Sequence, residues 1–182
     1  MNAPHSFRRD LVELLPSLRA FARSLAHNPA QADDLVQDTL VRALANVDRF
    51  EPGTNLRAWL FTILRNHYYS QMRKARHEVE DAEGRLAAQL SVRPEQDGNV
   101  DLQDFKAAFQ KLRADHREVL TLVGASGCSY EEAAAICGCA VGTIKSRVNR
   151  ARRRLATLLN LDVEDSIGLE GAPAAEEDLV NA

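Results

Sequence analysis

The sequence has little of what builds stapled, membrane-embedded or catalytic proteins. Its three cysteines, Cys128, Cys137 and Cys139, are too few for a disulfide framework. Cys-Gly-Cys also lacks the two-residue gap and the second ligand pair of a zinc site, so small buried thiols are expected. No apolar run approaches the roughly twenty residues a membrane span needs. No basic-then-apolar leader opens the chain, which predicts a cytoplasmic protein away from membranes. There is no phosphate-cradling glycine loop and no Ser-His-Asp arrangement, and His5, His27, His67, His77 and His116 lack metal-ligand spacing. Asp33, Asp34 and Asp38 could form only an incomplete metal site, since no His or second acidic element accompanies them. The expectation is a protein with no catalytic residue, metal or cofactor, and so not an enzyme.

Acids are missing from two places in particular. From Pro52 to His77 there is none, against Arg57, Arg65, Arg73, Lys74 and Arg76. Between Val141 and Leu155 there is again none, against Lys145, Arg147, Arg150, Arg152, Arg153 and Arg154. The formal net charge of -3 hides these segments because acids concentrate elsewhere, notably after Leu161. Segregated charge, rather than the sum, decides what a surface attracts, and phosphates are the natural counterions of two such runs.

The second run lies in the most informative stretch. Ser129 and Glu132 have the spacing of a reciprocal cap that starts a helix at Tyr130. Ala133 and Ala134 let a second helix cross closely, and Gly138 can take the positive φ of a sharp turn. In the next helix Ile144, Val148, Ala151, Leu155, Leu158 and Leu159 recur at helical spacing, which buries one stripe and exposes the cations. A basic helix alone usually means a solvated face, but one that follows a capped helix and a glycine turn reads as a DNA-binding helix-turn-helix. A stand-alone helix-turn-helix regulator and a subunit of a larger machine both fit this much.

The rest of the pattern is all-α, in two small helical units. Leu11, Leu14, Leu15, Leu18, Phe21 and Leu25 mark an opening segment, within which Pro16 is expected to start a second helix. Asn28-Pro29 reads as a cap and first-turn proline, ahead of a stripe of Val36, Leu40, Ala43, Leu44 and Val47. After a break at residues 51–55, Leu56, Trp59, Leu60, Ile63, Leu64, His67 and Tyr68 form one buried stripe, with Trp59 in the core and the cations opposite. The period dissolves over residues 78–100, an acidic flexible linker. It resumes with Leu102, Phe105, Phe109 and Leu112, and Asp115 with Glu118 reads as a further cap pair. The expected division is 6–77, 78–100, 101–160, and an acidic, disordered tail over 161–182.

Gln31 to Leu40, Phe50, and Trp59 to Asn66, taken with Ser129 to Glu132 and the run through Arg152, resemble the extracytoplasmic-function sigma factors of bacterial RNA polymerase. Phe50 to Thr62 further resembles the alphaproteobacterial general-stress subgroup. The resemblance implies a promoter-melting domain and an upstream-element domain that bind promoter DNA and core RNA polymerase through its β′ and β subunits. It also implies control by an anti-sigma factor, NepR-like if the subgroup holds. It assigns Asp33, Asp34, Gln37 and Asp38 to docking on β′, although Asp33 and Asp34 also suit plain capping. It assigns Phe50, Thr54, Asn55, Asn66, Tyr69, Ser70, Arg73 and Lys74 to the minus-ten element, where an extruded base needs an aromatic wall and amide partners. Phe50 suits helix-end packing equally well. It assigns Lys145, Ser146, Arg147, Asn149, Arg150, Arg152 and Arg153 to the minus-thirty-five element, and Arg154 is expected to be solvated.

Overall fold

A computed structural model describes residues 5–26, 28–81 and 100–161. Seven α-helices account for nearly all of them: α1 (His5–Leu25), α2 (Pro29–Ala45), α3 (Leu56–Asp81), α4 (Val100–Gln110), α5 (Ala114–Leu120), α6 (Tyr130–Cys137) and α7 (Val141–Leu158). No strand occurs among the described residues. A 3₁₀ turn over Val47–Arg49 follows α2, and a π turn over Thr121–Ala125 extends α5.

Local signals place the helix ends. Asn28 caps α2, its side chain accepting from the Gln31 N–H at 2.7 Å with Pro29 behind it. At α6 the Glu132 N–H donates to Ser129 Oγ at 3.1 Å and the Ser129 N–H to Glu132 Oε2 at 2.9 Å, a complete capping box. Gly138 ends α6 at φ +63°, a left-handed conformation that glycine adopts without steric cost, and α7 starts three residues later.

Four expectations fail. Pro16 does not start a new helix, because α1 runs through it unbroken. Pro16 and Val12 are both exposed, so the carbonyl that loses its partner faces water rather than the core. Asp115 and Glu118 form no cap. Arg113 occupies the cap position without a side-chain bond, and Glu118 is buried and paired elsewhere. The buried stripe of α2 is Ala32, Leu35, Val36, Thr39 and Ala43, while Leu44 is exposed. Thr39 is hidden in it because its hydroxyl donates back to the Leu35 carbonyl at 2.7 Å. Finally, α3 buries more than one stripe: Phe61, off the expected one, is fully buried at 4.8 Å from Phe21.

Helices α1, α2 and α3 pack on one another, α4, α5 and α6 each pack on α7, and α1 meets α5 while α3 meets α6. The buried side chains of both groups form one connected cluster, from Phe7, Phe21 and Leu64 to Val119, Ile136 and Val148. Helix α3 continues through 78–81, into the expected linker; the rest of that linker, 82–99, and the tail, 162–182, lie outside the described residues.

Candidate nucleic-acid interface

Helix α3 carries the first cationic surface. A cleft of about 440 Å³ lies between it and the end of α2, lined by Asn66, Ser70 and Arg73 together with Arg42, Asn46, Arg49, Trp59 and His67. Asn66 and Arg73 also border a second groove of about 400 Å³ with Arg65, Tyr69 and Met72, and so stand on the ridge between the two. Lys74 is exposed further along the helix. Sequence reasoning missed Arg42, Asn46 and Arg49. The signal was their position off the α2 stripe, just before Phe50.

Two expected residues stand differently. The Phe50 ring packs 5.7 Å from Phe7 and 5.3 Å from Trp59, so it closes a helix end and does not line the cleft. Trp59, expected in the core, is half-buried and supplies the aromatic wall instead. Thr54 is exposed in the turn before α3, its hydroxyl donating to the Glu51 carbonyl at 2.7 Å.

The second group of helices contacts the N-terminal half of α3, from Asn55 to Tyr69. Arg65 Nε donates to Glu118 Oε1 at 2.7 Å, and the Tyr69 hydroxyl donates to Glu118 Oε2 at 3.2 Å. The guanidinium of Arg65 lies 4.8 Å from the centre of the Tyr69 ring. Tyr69 is thus half-buried and engaged by Glu118 while it borders the second groove. Burial pushes the Glu118 carboxyl above its usual range, opposed by Arg65 and by the Tyr69 bond. Burial and then the Glu118 charge push the Tyr69 phenol well up. At the start of α3, Asn55 caps the helix through the Ala58 N–H at 3.0 Å and donates its amide to Glu132. Arg57 beside it donates to the Ser126 carbonyl at 2.6 Å and pairs with Glu132 at 3.9 Å.

One further guanidinium fastens the two groups of helices. Arg117, 3% exposed, donates to the Ser24 carbonyl at 2.6 Å, the Leu25 carbonyl at 3.2 Å and the Leu112 carbonyl at 2.6 Å. It therefore sits on the C-terminal ends of both α1 and α4, where carbonyls lack helical partners and a cation is favoured.

On α2, Asp34 and Gln37 are exposed, whereas Asp33 turns toward α1 and pairs with Arg19 at 3.8 Å. Asp38 Oδ2 lies 2.7 Å from His67 Nε2. Val41, 66% exposed, continues this face one turn on, an apolar residue amid polar ones that the stripe argument passed over.

The second cationic surface is α7. Ile144, Val148 and Ala151 are fully buried, and Ala156 rather than Leu155 continues the buried stripe. Lys145, Ser146, Asn149, Arg150, Arg153 and Arg154 are exposed. Ser146 accepts from Arg150 Nη2 at 3.1 Å, which holds that guanidinium along the helix, and Lys145 Nζ stands 5.8 Å from the Tyr130 ring. Arg152 is half-buried; Arg147 is too, and its charge acts on Glu118, so it lies on the flank of the exposed face. Cys128 and Cys137 are buried and Cys139 is half-buried.

Comparison with known proteins agrees with this geometry. Residues 11–78 match the family described as Sigma-70 region 2, and residues 102–155 that described as Sigma-70, region 4. The chain is 60% identical, over 90% of both chains, to the ECF RNA polymerase sigma factor EcfG of Rhodopseudomonas palustris. It is 37% identical to the ECF RNA polymerase sigma factor SigC of Mycobacterium tuberculosis, over 75% of this chain and 74% of that one. Among solved structures, the sigma factor RpoE in complex with the anti-sigma factor NepR from Bartonella quintana superposes with a TM-score of 0.78. It shares 58% identity and covers 87% of this chain and 99% of that one. Two cationic helical surfaces in this order, on a chain with these relatives, place the protein in the extracytoplasmic-function sigma factor family, whose members direct RNA polymerase to promoters.

Proposed function

We propose that the chain divides its work among three surfaces. The exposed side of α2, formed by Asp34, Gln37 and Asp38 with Val41, docks on a basic, partly apolar face of the polymerase β′ subunit. The cleft of Asn66, Ser70 and Arg73, walled by Trp59 and enlarged by Arg42, Asn46 and Arg49, holds the melted minus-ten strand. Tyr69 and Asn55 join it once released from Glu118 and Glu132. On α7, Lys145, Ser146, Asn149 and Arg150 face base edges in the minus-thirty-five major groove, while Arg152 and Arg153 grip phosphates and set register. Residues 6–77 and 101–160 are the two working domains, and the second also touches the β subunit.

The observation that carries this reading is the pairing, on one chain, of a cationic cleft containing amides and an indole with a helix whose exposed face has no acid. The polymerase supplies the chemistry, so the chain acts as a transcription initiation factor and not as an enzyme, in the cytoplasm where the polymerase works. Because the Bartonella relative is held by NepR, a NepR-like anti-sigma factor suits this chain, with stress-response genes as the output. Run-off transcription with purified core enzyme on a randomised promoter library tests the reading, which stands if the chain selects a consensus. Asp38→Arg should abolish co-purification with core enzyme while the helical content is kept; undiminished co-purification would refute the docking face.

A further inference from the structure

The acids of α2 are not equally prepared for a partner. Asp33 leans on Arg19 of α1 at 3.8 Å, whereas Asp38 Oδ2 lies 2.7 Å from His67 Nε2 on α3. The His67 side chain is 10% exposed against 52% for Asp38, so a packed ring holds a carboxylate that faces water. A carboxylate oxygen can only accept, so Nε2 carries a proton and donates it, which leaves Oδ1 without a described partner. Gln71, one turn further along α3, reaches the same ring nitrogen at 3.0 Å and flanks the pair. An ordinary surface ion pair gains little because two long side chains must be frozen together. Here one member is already fixed by packing, and the other is the short side chain of an aspartate.

We propose that His67 is a positioning residue for polymerase docking: its Nε2–H sets the Asp38 carboxylate in the orientation that the basic partner meets, so that this side chain is ordered before the complex forms. This rests on the assignment of α2 to the β′ subunit. Ordering a side chain in advance removes part of the entropy cost of association, which is how a ring packed behind the docking face can tighten the complex. The same bond sets a charge condition. Neutral His67 leaves Asp38 with its whole negative charge, whereas a ring protonated on both nitrogens would pair with it and offer the basic partner no net charge. Docking should therefore weaken in acid. The other charged groups around the ring are Arg42 of α2, Arg49 of the 3₁₀ turn and Arg73 of α3, and arginines keep their charge throughout this range. Helix α1, also packed on α3, brings no residue to this cleft.

The test measures the affinity of the full chain for purified core polymerase, without DNA because the ring also lines the minus-ten cleft. At pH 8 His67→Ala should bind about fivefold more weakly with its helical content unchanged. His67→Gln, whose amide can donate from the place of Nε2, should stay within about twofold of wild type. From about pH 8 to about pH 6 the wild type should lose about threefold, the worth of one exposed ion pair, and His67→Gln should not. In an Asp38→Asn chain, His67→Ala should cost nothing more, because the group it positions has gone. Full affinity in His67→Ala, equal pH profiles for wild type and His67→Gln, or the same loss from His67→Ala with and without the Asp38 carboxylate would overturn the positioning role. Asp38→Asn by itself separates the two readings. If it leaves core affinity unchanged, the docking assignment of α2 fails and this role with it; if it weakens binding while His67→Ala does not, only the role of His67 fails.

Discussion

The two cationic helices differ in what faces them. Along α3 the arginines at 57 and 65 meet carboxylates from another part of the chain, inside a contact continuous with the core. Along α7 no described carboxylate comes within ion-pairing distance of Lys145, Arg150, Arg152, Arg153 or Arg154. Equal charge density therefore has two physical meanings. On α7 it is a field open to solvent, screened by salt and available to phosphates at once. On α3 it is partly satisfied within the chain, so the helix gains stability from its cations before it gains any ligand.

The contrast can be broken from either side. The largest effect should come from Arg117→Ala, which leaves three carbonyls without their charged donor; a loss on the order of 3 kcal/mol is expected from urea unfolding. An unchanged midpoint would mean the contact is ornamental. Next, Arg150→Ala on the bare helix should leave that midpoint within about 0.5 kcal/mol. It should nevertheless cost on the order of 1 to 3 kcal/mol in recognition of the upstream element, measured by competition on variant promoters. Equal losses on every sequence would assign Arg150 to phosphate alone.

A smaller effect follows from pH. Burial raises the Glu118 carboxyl above its value in the separated domains. Its contribution to closure is therefore complete below the ordinary carboxylate range and is lost as pH rises through the raised value. The wild-type radius of gyration should grow from pH 5 to pH 8, whereas Glu118→Gln, which fixes the neutral state that burial favours, should keep the compact value at both. Least of all, Cys137, whose thiol burial and Glu118 push up to about 12, should resist iodoacetamide at pH 8 in the closed chain and react in Arg117→Ala. Labelling at equal rates in both would show that the contact stays shut without its anchor.

What could be read from the sequence was local. Asn28-Pro29, the Ser129–Glu132 box, Gly138 and the Ile144–Ala151 stripe depend on neighbours three or four positions away, and each stands where its spacing placed it. Pro16 misled because a proline in a helix costs less where water can take up the freed carbonyl, and periodicity does not report which face meets water at that point. Glu118 misled because its partners, Arg65 and Tyr69, lie 53 and 49 positions away. A glutamate three residues after an aspartate fits a cap as well as it fits a distant arginine. Phe61 is a similar case, since a helix packed on two sides buries residues that a single-stripe argument assigns to solvent. Of the minus-ten surface, the amide and cation at 66 and 73 were legible, but the α2 contribution needed knowledge of which helix end comes back against α3.

The position of Arg117 on the last carbonyls of α1 has one more consequence. That guanidinium belongs to the far half of the chain, so parting the halves removes the cation from the negative end of the α1 dipole and leaves the Ser24 and Leu25 carbonyls to water. The final turn of α1 should then fray, and its amides around Ala22 to Ala26 should exchange with solvent faster. Stiffness in one half is thus borrowed from the other, and whatever pulls them apart also softens the corner leading into α2.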